Sequence, residues 1–125
     1  MIVDSTVFIQ FFRDNPEARK FFLDTDEQLE TSRIVVMEVM AGTKSGALAK
    51  KAEKQILELG VKIVELDEDI SARGGILFRD YYHTNGIGIM DAFVAATALV
   101  HGQKLATHNV KHFKFIKGLD LIVPY

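Results

Sequence analysis

The feature that most constrains the fold of this chain is a regular alternation of short extended segments with segments of helical periodicity. The extended segments predict strands at residues 2–3, 28–32, 61–66, 104–107 and 119–123. The segments between them predict helices at 5–13, 16–24, 33–41, 45–59, 67–83 and 89–101, with a helical turn at 110–115. This alternation predicts an α/β sandwich with a mostly parallel sheet. The length of 125 residues suits a single domain spanning 1–125.

Several helix boundaries have local signals of their own. Asn15 followed by Pro16 predicts the start of the second helix, and Ser32 is expected to cap the helix at 33–41. The pair Gly74–Gly75 weakens the helix predicted at 67–83, at about 1 kcal/mol for each glycine. Residues 84–88 are expected to form a loop.

Parallel sheets gather functional groups at the carboxyl ends of their strands. The predicted strands of this chain are followed there by polar residues: Asp4, Thr31–Ser32, Asp67–Glu68–Asp69 and Thr107–His108–Asn109. Two further carboxylates, Glu38 and Asp91, lie inside strongly apolar helical segments. A buried carboxylate without a partner is costly, so these acids need a cation or a hydrogen-bond donor.

Each of these residues also has an ordinary structural explanation. Asp4 suits the N-cap of the helix that follows it. Glu38 can lie on the polar side of its helix, and Asp91 in the first turn of its helix is favoured by the helix dipole. Asn109 is a common turn residue, and the triplet 67–69 is most simply charge at a helix start.

Taken together, the three carboxylates favour a site for a hard divalent cation. Converging carboxylates repel one another unless a positive charge lies between them. Mg²⁺ and Mn²⁺ prefer oxygen ligands and keep water molecules that exchange with phosphate oxygens. The chain has no cysteine and no HExxH motif, which argues against zinc and excludes a thiol nucleophile. Acids that hold such a cation are typical of metal-assisted phosphodiester cleavage.

The residues around these acids resemble the PIN-domain family and, within it, the VapC-type ribonuclease toxins of toxin–antitoxin modules. The resemblance spans the whole chain in order. It rests on MIVDSTVFI at the start, RIVVMEVMAG at 33–42, GIGIMDAFVAATAL at 86–99, LATHNVKHF at 105–113 and the closing KGLDLIVPY. It implies a parallel sheet of four or five strands in a three-layer α/β/α sandwich. It also implies Mg²⁺ or Mn²⁺ dependence and cleavage of structured RNA, often transfer RNA. A cognate antitoxin and a homodimer are the partners it implies.

The resemblance also assigns site residues. The family's first, second and third acids fall on Asp4, Glu38 and Asp91, which are the expected metal ligands, and its fourth position falls on Asn109. Some members carry another acid one turn after the third, where this chain has Ala95. Three formal negative charges suit one firmly bound cation. Three hydroxyl residues flank the acids and either orient them or serve as ordinary caps: Ser5, Thr6 and Thr107.

A formal net charge of −2 seems to disfavour a nucleic-acid ligand, but the charges are unevenly distributed. No carboxylate lies between Asp91 and Asp120, and this stretch contains four lysines that are candidates for RNA binding: Lys104, Lys111, Lys114 and Lys117. The alternative is a solvated lysine-rich surface. His108 and His112 are candidates for a general base or a metal ligand, but they are interpreted as exposed loop residues. Part of a phenylalanine cluster is expected in the core and the rest against an antitoxin segment: Phe8, Phe11, Phe12, Phe21 and Phe22.

The principal prediction is therefore a metal-dependent endoribonuclease toxin. A catalytically inactive PIN-like module that binds RNA or protein is the alternative, although three retained acids argue against it. A nucleotide-binding or phosphoacceptor domain is less consistent, because no GxGxxG or Walker A motif is present and Glu38 and Asp91 would be unexplained. The sequence begins without the pattern of a signal peptide and has no membrane-length apolar stretch, so we expect a cytoplasmic protein without membrane contact.

Overall fold

A computed structural model describes all residues, 1–125, and has the predicted α/β architecture. Six helices flank one five-stranded sheet. The strands are β1 (Ile2–Val3), β2 (Glu30–Ser32), β3 (Lys62–Val64), β4 (Leu105–Ala106) and β5 (Leu121–Ile122). The helices are α1 (Ser5–Phe12), α2 (Pro16–Asp24), α3 (Arg33–Ala41), α4 (Gly46–Glu58), α5 (Glu68–Asn85) and α6 (Ile89–Val100). A single 3₁₀ turn covers Val110–His112.

Every strand pair is parallel, and the order across the sheet is β3-β2-β1-β4-β5. β2 and β3 lie on one side of β1, and β4 and β5, which come later in the sequence, lie on its other side. The strand order therefore reverses between β1 and β4. In open parallel sheets, ligands bind in the crevice at the carboxyl ends of such a pair of strands.

The predicted helix starts follow from local hydrogen bonds. Oδ1 of Asn15 accepts from the N–H groups of Glu17 and Ala18 at 2.9 and 3.1 Å. The hydroxyl of Ser32 accepts from the N–H of Ile34 at 3.1 Å. These bonds satisfy donors at the helix ends that have no partner within the helix.

The predicted loop at 84–88 is wrong in its first two residues, because α5 continues through Asn85. Gly86 ends the helix with φ of +67°, a backbone conformation that favours glycine, and its N–H bonds to the carbonyl of Tyr82 at 2.8 Å. The strands after β1 are shorter than predicted, and the predicted turn at 110–115 is helical only over Val110–His112. Gly74 and Gly75 lie inside an unbroken α5.

The core lies around β1, β4 and α6. Ile2, Val3 and Leu105 are fully buried, and α6 packs through fully or almost fully buried small residues: Ala92, Ala95, Ala96 and Ala98. Small side chains allow a close approach, so α6 holds its first turn near the end of β1. No helix of the structure is long and apolar enough to cross a membrane.

Candidate active site

Asp4 lies at the end of β1, where the strand order reverses. It occupies the N-cap position of α1, yet its side chain makes no capping bond. One of its carboxylate oxygens instead accepts a hydrogen bond from Oγ1 of Thr107, which follows β4, at 2.6 Å. Asp4 is only 4% exposed and Thr107 is fully buried. Capping therefore does not explain this carboxylate.

The segment after β4 is fixed to α1 and to itself. The backbone N–H of Asn109 donates to Oγ1 of Thr107 at 3.0 Å, and the N–H of His108 donates to Oγ1 of Thr6 at 3.2 Å. The hydroxyl of Thr107 therefore connects Asn109 to Asp4. This arrangement brings Thr6, Thr107 and Asn109 to the same edge of the sheet as the first acid.

Glu38 on α3 and Asp91 on α6 lie near Asp4 and interact with it through charge. Burial raises the pKa of Glu38, and the negative charges of Asp4 and Asp91 raise it further, while the hydroxyl of Ser5 lowers it. Burial also raises the pKa of Asp91, as does the charge of Asp4. The structure thus brings together three acids that are far apart in the sequence.

The pKa of Asp4 is raised as well, chiefly by burial, although the hydrogen bond from Thr107 lowers it. Among the side chains that lower these pKa values, the only basic ones are His108 and His112, and no lysine or arginine takes part. Removing carboxylates from water without such partners disfavours their ionised form. The three acids therefore form a group whose negative charge is poorly compensated by the protein.

The sequence predicted exposed loop residues at His108 and His112, but His108 is half-buried, and the exposed His112 is a site residue beside Asp91. Its Nδ1 lies 3.3 Å from Oδ2 of Asp91, and its side chain is 44% exposed. It follows Asn109 by three residues, and residues three apart share one face of a helical turn. That spacing is the signal that would have placed it beside the acids.

These residues fit a Mg²⁺ or Mn²⁺ ion. All three acids offer oxygen ligands, and their mutual repulsion favours a cation among them. No group of three or more acidic or histidine side chains lies close enough together in this structure to hold a metal ion by itself. An incomplete set suits Mg²⁺, which is usually held by one or two carboxylates and keeps several water molecules.

The four candidate lysines do not share one location. Lys104 directly precedes β4, and its carbonyl accepts from the N–H of Ile2, so it lies at the amino end of the strands. Lys111 belongs to the same 3₁₀ turn as His112, and Lys114 and Lys117 follow it, all three exposed. Strand direction therefore puts Lys104 at the opposite edge of the sheet from the acids, whereas the other three lysines follow the loop that carries Asn109.

Other polar residues at strand ends have structural roles. Oγ1 of Thr31 donates to the carbonyl of Val3 at 2.7 Å and links β2 to β1. Oδ1 of Asp67 accepts from the N–H of Ile70 at 2.9 Å and caps α5. Arg33, which the sequence analysis did not single out, forms ion pairs with Glu53 of α4 and with Glu65 after β3.

A groove of about 760 Å³ runs between α1, α3 and α4 and reaches Glu38. Its apolar lining consists of Ile9, Phe11, Phe12, Val39, Leu48 and Ala52. Its basic lining consists of Arg13, Arg19, Lys44 and Lys51. The five phenylalanines of the predicted cluster lie in three places. Phe8 and Phe22 are buried in the core, and Phe11 and Phe12 line the groove. Phe21 packs against Tyr125.

Known proteins are similar to this chain in sequence and in fold. The PIN domain profile matches residues 1–118. Ribonuclease VapC19 of Mycobacterium tuberculosis is 31% identical over 99% of this chain and 98% of its own length. Ribonuclease VapC10 of the same organism is 32% identical over 95% of this chain and 90% of its own length.

A solved toxin–antitoxin complex from Klebsiella pneumoniae contains a chain that superimposes with a TM-score of 0.77. It is 28% identical in sequence, and the match covers 99% of this chain and 97% of that chain. The similarity in fold and in sequence extends over nearly the full length. This chain belongs to the PIN domain family.

Proposed function

We propose that this protein is a Mg²⁺- or Mn²⁺-dependent endoribonuclease, acting as the toxin of a type II toxin–antitoxin pair. The observation that carries the proposal is the poorly compensated group of Asp4, Glu38 and Asp91 where the strand order reverses. Its full-length relatives are named ribonucleases, and a related solved chain comes from a toxin–antitoxin complex. The substrate we propose is structured RNA such as transfer RNA.

Asp4, Glu38 and Asp91 would hold the cation, with the amide of Asn109 as a neutral oxygen donor nearby. When bound, the ion polarises the phosphate and lowers the pKa of a bound water molecule. The hydroxyl of Thr107 orients the Asp4 carboxylate by its hydrogen bond, and Ser5 lies beside Glu38. Thr6 anchors the loop that carries Asn109.

We expect one firmly bound cation in the absence of RNA, since the three acids supply three negative charges and Ala95 adds none. Titration calorimetry with Mn²⁺ should give a stoichiometry near one. Two well-occupied ions in an RNA-free crystal grown at millimolar Mn²⁺ would contradict this expectation.

Lys111, Lys114 and Lys117 are the lysines we propose as phosphate contacts. They are exposed and follow the loop that approaches Asp4. Contacts of this kind release counterions, so RNA binding should weaken as salt increases.

The most direct test of the activity is sequencing of RNA ends after induction of the protein in cells. Wild type should produce new 5′ ends and arrest growth, and Asp4→Asn should do neither. Asp26→Asn is the matched control, because Asp26 is an exposed acid outside the site. Growth arrest that persists in Asp4→Asn would instead favour an inactive module that binds RNA or protein.

The groove that reaches Glu38 is the surface we propose for the antitoxin. Its phenylalanines suit an amphipathic segment, and its four basic residues outnumber its two acids, so acidic residues in the partner would be complementary. Leu48→Asp should abolish neutralisation by the product of an adjacent antitoxin gene. Leu57→Asp is the control, since Leu57 is equally exposed on α4 but does not line the groove.

Two further features of the proposal follow from the family. We propose that the protein works in the cytoplasm, where its RNA substrate is found, and that it forms a homodimer. Sedimentation of the purified chain would test the dimer.

A further inference from the structure

The loop of Thr107, His108 and Asn109 is fixed by contacts outside the carboxylate group. The ring of His108 packs edge-on against the ring of Tyr125, with centroids 4.5 Å apart. Tyr125 in turn lies against Phe21 of α2, with centroids 6.2 Å apart. Tyr125 therefore connects this loop to α2, in addition to the hydrogen bond that connects His108 to Thr6 of α1.

Two polar atoms of this ring pair are buried without a hydrogen-bond partner: Nε2 of His108 and the hydroxyl oxygen of Tyr125. Buried polar groups are nearly always satisfied, so each exception requires an explanation. Hydrogen bonding does not account for the position of these rings. Ring packing does, since edge-to-face contact at this separation is favourable.

We propose that Tyr125 is a positioning residue that acts through His108 to hold the Thr107–Asn109 loop against Asp4. The inference rests on the proposed function, because the loop matters for chemistry only if Asp4 serves a metal site. In the sequence, His108 lies between Thr107, which donates a hydrogen bond to Asp4, and Asn109, whose N–H donates to Thr107. If the ring of Tyr125 is removed, His108 keeps the hydrogen bond from its backbone N–H to Oγ1 of Thr6 but loses its ring contact.

The test uses the full chain and two measurements, amide hydrogen exchange followed by NMR and Mn²⁺ affinity by calorimetry. In Tyr125→Ala we expect exchange at the amides of His108 and Asn109 to become faster, and Mn²⁺ binding to weaken by about tenfold, the lower end for groups that support metal ligands. Tyr125→Phe retains the ring and loses only a hydroxyl without a partner. It should therefore match wild type in both measurements.

A control separates positioning from general loss of stability. Phe115→Ala removes another partly buried aromatic contact, the one with Tyr81 of α5 at 5.4 Å. It should leave the exchange of His108 and Asn109 at the wild-type rate. If Tyr125→Ala does not fold, Tyr125→Leu, which keeps apolar bulk without a ring, should show the same changes.

Equal acceleration in Phe115→Ala, or unchanged exchange and affinity in the ring-deleted variant, would overturn the proposal. Failure of the proposed function has a different signature. In that case wild type binds no Mn²⁺ and cuts no RNA, while the exchange comparison between Tyr125→Ala and Tyr125→Phe still decides whether Tyr125 positions the loop.

Discussion

Replacing Thr107 with valine is the sharpest perturbation of the candidate site, because it changes one buried hydroxyl and preserves the shape of the side chain. Thr107 donates to Oδ2 of Asp4 at 2.6 Å and accepts from the N–H of Asn109 at 3.0 Å. Both bonds disappear in Thr107→Val. Since the bond from Thr107 lowers the pKa of Asp4, the variant should raise that pKa further.

The expected loss of stability can be estimated from the two bonds. A hydrogen bond to a charged group contributes about 1.5–3 kcal/mol, and a neutral one about 0.5–1.5 kcal/mol. Protonation of Asp4 limits the loss, so we expect the free energy of unfolding at pH 7 to fall by about 2–3 kcal/mol. For a chain of this size, that corresponds to a decrease in Tm of roughly 10 °C.

Urea unfolding of four proteins would measure this: wild type, Thr107→Val, Asp4→Asn and the double variant. The charge on Asp4 strengthens the bond, so the loss caused by Thr107→Val should be smaller by about 1 kcal/mol when residue 4 is neutral. Thr107→Ser, which retains the hydroxyl, is the control and should lie close to wild type. The reasoning is refuted if Thr107→Val costs as much in the Asp4→Asn background as in wild type.

Three further predictions concern the pH dependence of stability, the two glycines inside α5 and the salt dependence of RNA binding, and each is tested with purified variants. The raised pKa values of Asp4, Glu38 and Asp91 mean that the folded chain binds protons more tightly than the unfolded chain, so ionising these groups opposes folding. In urea unfolding without metal, the free energy of unfolding of wild type minus that of Asp4→Asn should therefore fall as the pH rises from about 4 towards 7, and a rise in this difference would contradict the reasoning. Gly75→Ala should raise the free energy of unfolding by about 0.5–1 kcal/mol, since an added Cβ there meets nothing within 4 Å. Gly74→Ala should lower the free energy of unfolding by about 1–3 kcal/mol, since its Cβ would lie 2.8 Å from Cδ1 of Phe93. Equal effects of Gly74→Ala and Gly75→Ala in urea unfolding would be inconsistent with the packing of α5 on α6. In RNA-binding titrations at several salt concentrations, Lys111→Ala should reduce the slope of log K against log salt by about 0.7–1, whereas Lys104→Ala, at the opposite edge of the sheet, should leave it unchanged.

The element order was predictable from the sequence because its signals are local. Asn15 and Ser32 cap helices through bonds to residues two or three positions away, so the sequence alone contains both partners. The end of α5 was not predictable in the same way. Thr84 and Asn85 are weak helix formers, and the helix continues until the left-handed Gly86.

The features of the candidate site likewise differ in whether the sequence could predict them. That Asp4 and Asn109 lie at one edge follows from strand direction, and the same rule, applied strictly, would have put Lys104 at the other edge. The contact between His112 and Asp91 depends on how a 3₁₀ turn packs against α6. The ring pair of His108 and Tyr125 joins residues 17 positions apart through no recognisable motif. Such contacts arise from tertiary packing, which local patterns do not encode.

The charge of the chain has a different meaning once the acids are located. A net charge of −2 describes the sum, but three of the acids lie together, and the charge of Asp4 raises the pKa of both Glu38 and Asp91. A cation that binds the folded chain and not the unfolded one stabilises the folded state, so the proposed metal site links metal binding to folding. One divalent ion also changes the formal net charge to about zero, and carboxylates that hold it no longer repel phosphate as free charges do. The excess of acid is therefore no argument against an RNA substrate. What it requires is that RNA binding depend on the metal, because without the ion the same three carboxylates would face the phosphate directly.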